Sequence, residues 1–315
     1  MLVFMTRRLV QIIPTMLLVS VITFLLIRLI PGDPVDVMYG MEGVDAQTKL
    51  VVQQKLGLDQ PVWVQYGRWM GRILSGDLGY SYRAHIPVTT LIAQRLPATL
   101  LLLVAALSLS VIVAVPLGVA AAVRRDTMVD FGAMAGGLLA LSVPPFASGI
   151  FLVLLFGVAL GWLPTMGFPR PGAGPLTMLK YLALPTVTLA AGVIGLTMRL
   201  TRSTMLEELG RDYVRTAHAK GLNERAVVFR HVLRNALIPI VTLVGLQASF
   251  LVGGAVVIET IFAWPGIGSL IIDAILARDY PIVQSVVLLV AVMVVVVSVL
   301  IDMTYSVLDP RIRLS

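Results

Sequence analysis

The chain is 315 residues long, 58% hydrophobic and only 13% charged, with a mean hydropathy of +0.93. Soluble domains of this length do not have that balance, so the sequence is that of a polytopic membrane protein. Its net charge of +7 sits beside apolar runs, where it sets orientation rather than binding nucleic acid, and the lack of cysteine excludes disulfides and thiolate chemistry.

The Arg7-Arg8 start leads into an apolar run from about Leu9 to Ile30. That run is too long for a signal-peptide core and long enough for a bilayer, so it reads as a retained first span. Pro14 falls in its first turns, and Pro31-Gly32-Asp33-Pro34 ends it. Residues 31–96 are the one sizeable polar segment outside the spans. Asp45 to Leu56 is expected to be a helix closed by Gly57. Pro61 to Leu74 reads as a second, amphipathic helix with Val62, Tyr66, Trp69, Met70 and Ile73 on one face. Trp63, Trp69, Tyr80 and Tyr82 are placed at or near the membrane surface, as an aromatic belt or as a docking surface for an external partner.

Span 2 is Ala98 to Val123, with Pro116 inside, and Arg124-Arg125-Asp126 is a short turn after it. Span 3 runs from Phe131 to about Leu160 and must break or kink at Pro144-Pro145, either for packing or to line a pathway. Span 4 is Tyr181 to Met198, span 5 about Ala236 to Ile258 with Pro239 in its first turns, and span 6 Ile282 to Ile301. Glu259 to Pro281 is expected to be an external re-entrant or surface segment. Arginines cluster at the start, after span 2, between spans 4 and 5 and in the tail, which puts both termini in the cytoplasm.

Thr201 to Pro239 is the longest strongly polar, helix-like stretch between two apolar spans, and its cation excess marks it as cytoplasmic. Its inner part reads as two short helices. The first runs from about Asp212 to Lys220 and stops at Gly221, which can take the left-handed conformation beyond a helix end. The second starts at Asn223, a good N-cap, with Glu224 in its first turn. A helix–glycine–helix element between spans can present a small rigid surface to a cytoplasmic partner.

The spacing Arg215-Thr216-Ala217-x3-Gly221, then nine residues, then His231-Val232-Leu233 resembles the EAA loop of ABC importer permeases, with Arg215, Thr216, His231 and Arg234 departing from its pattern. D-Y-V-R-T-A-x-A-K-G-L and F-R-H-x-L-R-N-A-L-x-P, from Asp212 to Pro239, resemble a specific branch: the first membrane subunit of dipeptide, oligopeptide and nickel importers. The likeness extends to I-P-G-D-P at Ile30, L-P-A-T-L at Leu96, S-V-P-P-F at Ser142, E-T-I-F-A-W-P-G-I-G at Glu259 and L-D-P-R-I-R near the end. It implies an all-α polytopic membrane protein of the type I ABC importer permease kind, with six transmembrane helices and an external domain between spans 1 and 2. The chain then divides into residues 1–30, an external domain 31–96, and a permease core 97–315 with a cytoplasmic coupling loop 199–235. The implied function is an importer permease for di- or oligopeptides, with nickel or glutathione as alternative cargo. The implied partners are a second permease subunit, two ATPase subunits or domains carrying ATP and Mg, and an external substrate-binding protein. The implied location is the bacterial cytoplasmic membrane. Asp212, Tyr213, Arg215, Thr216, Ala217, Lys220 and Gly221 would contact the ATPase, with Ala217 small so that the helix fits a groove there.

The remaining chemistry agrees with a non-enzymatic role. No G-x-x-x-x-G-K-[ST] phosphate loop exists, so ATP hydrolysis falls to other subunits. His85, His218 and His231 are scattered and form no metal site, and no Ser/His/Asp set assembles. No acid sits mid-span, which counts against a proton-driven secondary carrier; a non-transport membrane scaffold is the other alternative. Gln247, Ser249, Gly253 and Gly254 interrupt apolar span 5 and are candidates either for close helix packing or for a substrate-facing wall. Glu259, at the outer end of span 5, could hold a gate closed by hydrogen bonds or mark the water boundary.

Overall fold

The computed structural model describes residues 2–29 and 59–308. The expected helix over Asp45 to Leu56, the whole I-P-G-D-P motif and the L-D-P-R-I-R tail beyond Leu308 lie outside them. The described chain is built from helices: α1 (Leu2–Leu29), α2 (Val62–Leu74), α3 (Val88–Val123), α4 (Met128–Ser142), α5 (Pro145–Ala159, π-helical over Val153–Ala159), α6 (Pro175–Leu209), α7 (Asp212–Ala219), α8 (Glu224–Ile261, π-helical over Val227–Val232), α9 (Ile267–Leu276) and α10 (Tyr280–Leu308).

Among the described residues, α3, α6, α8 and α10 are each long and apolar enough to cross a membrane. The pair α4 and α5 is bent by 105° at Ser142–Pro145 and can count as one broken span. The break is where Pro144-Pro145 requires it: Pro145 has no N–H to give to a preceding turn, and it opens α5 at a position where none is needed. Several helices outrun the spans read from hydropathy. α3 begins ten residues before Ala98, α6 continues to Leu209, and α8 starts at Glu224, so Pro14 and Pro239 lie inside helices rather than in first turns. Hydropathy measures how much of a helix is apolar. It does not see the polar turns that extend the same hydrogen-bond ladder into water, such as the stretch of α6 ending Glu207–Leu209. Proline is tolerated inside membrane helices because neighbouring groups satisfy the freed carbonyls.

Two compact units result. One comprises the described residues of 98–268 and 296–308. Its first core joins Ala98, Leu102 and Ala106 of α3 to Leu189, Ala190 and Val193 of α6, to Leu251, Ala255 and Ile258 of α8, and to Phe262 and Trp264. Its second core joins Val119 and Ala122 of α3, Met205 of α6, Val214 and Ala217 of α7, and Val227, Val228, Val232, Ala236 and Ile240 of α8. Glycines let the helices approach: a Cβ on Gly195 of α6 would lie 2.5 Å from the Gly137 carbonyl oxygen of α4.

The other unit comprises residues 2–29, 59–97 and 269–295. Phe24 of α1, Tyr66 and Trp69 of α2 and Leu288 of α10 make its core, and Phe24 lies 5.4 Å from each of the other two rings. The face read from spacing is seen in Tyr66, Trp69, Met70 and Ile73, whereas Val62 is exposed. Trp69 is therefore a core residue and not a membrane-surface aromatic; Trp63 and Tyr80 remain exposed. Packing decides between these because a tryptophan at the i+3 position from Tyr66 shares its helix face.

Candidate functional site

The short helix α7 is set by its own ends. Asp212 opens it, where a carboxylate suits the helix dipole, and lies 3.6 Å from Arg215 across one turn. At the other end Gly221 takes φ +78°. Its N–H donates to the His218 carbonyl at 2.9 Å and the Leu222 N–H to the Ala217 carbonyl at 3.3 Å, the paired bonds of a Schellman stop. Asn223 then caps α8, its side-chain oxygen accepting from the Ala226 N–H at 2.8 Å. His218 and Glu224 meet across the turn at 3.1 Å.

This element has two faces. Val214 and Ala217 point into the second core of their own unit, while Asp212, Arg215, Thr216 and Lys220 are exposed. The smallness of Ala217 therefore serves the chain's own packing, which corrects the expectation that it fits a groove on another protein. Tyr213 is half-buried and donates to Glu208 at 2.6 Å. Burial first, and that hydrogen bond second, hold its hydroxyl above the usual phenol range, so it remains a neutral donor that ties α7 to α6.

The five residues singled out along α8 do not form one site. Gln247 and Gly254 are seven residues apart and share a face with buried Leu251 and Ile258. Both are half-buried, and a Cβ on Gly254 would lie 3.3 Å from Leu189. Gly253 lies instead on the stripe of exposed Leu246, Phe250 and Val257, and no described residue packs closely against it. Ser249 is half-buried on neither stripe.

Glu259 is fully buried, which removes the water-boundary reading. One carboxylate oxygen accepts from the Thr99 hydroxyl at 2.6 Å and the other from the Gly268 N–H at 2.7 Å. The Thr99 oxygen in turn accepts from the Ile267 N–H at 2.8 Å. The indole of Trp264 donates to the Ala98 carbonyl at 2.9 Å, and the Trp264 N–H to the Glu259 carbonyl at 2.8 Å. The chain makes this turn through Ala263 at φ +48°, and a Cβ at Gly266 would overlap the carboxylate itself. F-A-W-P-G-I-G is thus a buried knot tied to the start of the core part of α3, not a surface segment.

Sequence reading missed a third feature. Asp130, in the first turn of α4 and almost fully buried, receives both Nε and Nη2 of Arg202 from α6, at 2.5 and 2.6 Å, and the Asp126 N–H at 3.1 Å. The local signal was Thr127-x-x-Asp130 ahead of an apolar run, a capping-box pattern. Nothing local announces that the acid's partner lies 72 residues on.

Residues 114–314 match the family described as "Binding-protein-dependent transport system inner membrane component", and residues 1–103 match the N-terminal membrane component of the same systems. A protein of Brucella abortus (strain 2308), named as a peptide transport system permease, is 44% identical over 307 residues, 98% of each chain. The glutathione transport system permease protein GsiC of Salmonella paratyphi A is 42% identical over 313 residues, 99% of each chain. The inward-facing methionine ABC transporter MetNI shares the fold, with a TM-score of 0.58 at 16% identity over 70% of this chain and 97% of that one.

Proposed function

The chain belongs to the family of binding-protein-dependent transport system inner membrane components, and on that premise we propose that it passes short peptides, glutathione among them, across the bacterial cytoplasmic membrane. It is the permease subunit of an ATP-driven ABC importer and not its ATPase. In the proposed assembly it forms the pathway with a second permease subunit and receives cargo from an external binding protein. Two ATPase subunits or domains, holding ATP and Mg, dock on the cytoplasmic side, where both termini lie. In this reading the apolar stretch Val10–Leu25 of α1 counts as the sixth span, in addition to α3, the α4–α5 pair, α6, α8 and α10.

The observation that carries the coupling reading is the two-faced α7. Its inner face is fixed in the permease core, and its outer face offers Asp212, Arg215, Thr216 and Lys220 on a helix stopped rigidly at Gly221. A surface so held can pass a push from an ATPase into α6 and α8 without deforming. Gln247, Ser249, Gly253, Gly254 and Glu259 are assigned to the pathway helix, Gln247 facing inward and Glu259 fixing its end.

Thr216→Trp tests this. The residue is exposed, so the variant is expected to reach the membrane folded, to lose most ATPase subunit in a pull-down and to lose ATP-driven uptake of labelled dipeptides and glutathione. Wild-type pull-down and uptake would retire the coupling role of α7. Intact coupling with ATP turnover that no peptide stimulates would retire the peptide cargo.

A further inference from the structure

A groove of about 330 Å³ opens between α4 and α6, lined by Met134, Gly137, Leu138 and Leu141 on one side and by Gly195, Met198, Arg199, Arg202 and Ser203 on the other. Its volume is at the low end for small-molecule clefts. Its chemistry is divided lengthwise. Met134, Leu138, Leu141 and Met198 make an apolar body, while Arg199, Arg202 and Ser203 gather at one end.

The charge at that end is not balanced. Arg202 is spent on Asp130, and Arg125 lies 3.2 Å from Asp126. Arg124 and Arg199 remain exposed, with no carboxylate within ion-pair distance among the described residues. Of the groove's own lining, Arg199 and Arg202 against the Asp130 that pairs with Arg202 leave an excess of +1, on Arg199, at the mouth of a greasy slot. The Asp130–Arg202 bridge also fixes the geometry, because it locks α4 to α6 where the polar end of the groove lies.

We propose that this groove is a binding site for an anionic phospholipid, with one acyl chain along Leu138, Leu141 and Met198 and the phosphate on Arg199 and Ser203. A free phosphate would leave the apolar body in water, and a neutral apolar molecule would leave Arg199 facing no anion, so only an amphiphile with a negative head satisfies both ends. The site depends on membrane insertion alone and is independent of the cargo and of the role of α7. By holding α4 against α6 the lipid would stiffen the helix pair that precedes the break at Pro144-Pro145.

The test uses the assembled transporter in nanodiscs and native mass spectrometry, with phosphatidylglycerol and phosphatidylcholine as probes. Arg199→Gln is expected to lower phosphatidylglycerol retention about fivefold, as expected for losing one juxtamembrane cation, with subunit composition unchanged. Leu138→Trp, at an exposed wall of the groove, is expected to exclude the acyl chain and give the same loss with Arg199 intact. Millimolar inorganic phosphate should displace nothing. Equal retention of the two lipids by wild type, or unchanged retention in both variants, would overturn the site. So would a Leu138→Cys variant that cross-links to the second permease subunit in full yield, since that face would then be covered by protein.

Discussion

At one end of α8 the chain turns through Gly221 and Asn223 using hydrogen bonds between residues three to five apart; at the other, Glu259 bonds to Thr99, 160 residues away. The two ends lie about 50 Å apart along the helix axis at 1.5 Å per residue. The first is polar and exposed on its outer face, and local rules alone hold its shape: a dipole-matched aspartate, a left-handed glycine, an asparagine cap. The second is dry, and its shape depends on satisfying a buried carboxylate and the backbone N–H groups around it. An element built from local signals can be exposed to a partner and remain folded. One built from long-range buried polar bonds must stay closed, because each group it exposes or orphans is costly.

That contrast ranks the effects of substitution. Glu259→Ala should be the most damaging, since it orphans the Thr99 hydroxyl and the Gly268 N–H in a buried site, at about 1–3 kcal/mol for each. Thermal unfolding of the assembled transporter in detergent measures it, and a melting temperature equal to wild type would show that the knot holds nothing. Ala217→Phe follows, overpacking the core at about 1–3 kcal/mol. Because Ala217 faces inward, the expected outcome is a lower yield of folded permease, in contrast to Thr216→Trp, which should keep the yield and lose the partner. A normal yield of Ala217→Phe would reverse the assignment of the two faces of α7.

Asn223→Ala should cost about 1 kcal/mol through the lost cap, visible as faster hydrogen exchange in the first turn of α8 and nowhere near Glu259. Arg215→Ala should change stability by no more than about 0.5 kcal/mol, because its pairing with Asp212 is solvent-exposed, while weakening ATPase pull-down. A stability loss there comparable to that of Ala217→Phe would mean that the outer face is structural too.

The apolar spans, the break at Pro144-Pro145, the stop at Gly221 and the cap at Asn223 are legible in the chain without the fold, because each depends on residues within a turn or two of one another. The sequence also carried the family, through motifs spread along the whole chain. Tertiary structure alone decided where those helices face. Ala217 and Thr216 are neighbours in a motif, and only the packing of α7 on Val227 and Met205 turns one inward and leaves the other out. Gln247 and Gly253 interrupt the same apolar run, yet the rotation of α8 puts them on different stripes. From sequence Glu259 reads either as a hydrogen-bonded gate residue or as one at the water's edge, because its polarity ends an apolar stretch. It is buried because Thr99 and the folded-back Gly268 supply the donors that water would otherwise provide. Local propensity is written in neighbouring residues, whereas the satisfaction of a buried polar group depends on partners that only the fold brings within 3 Å.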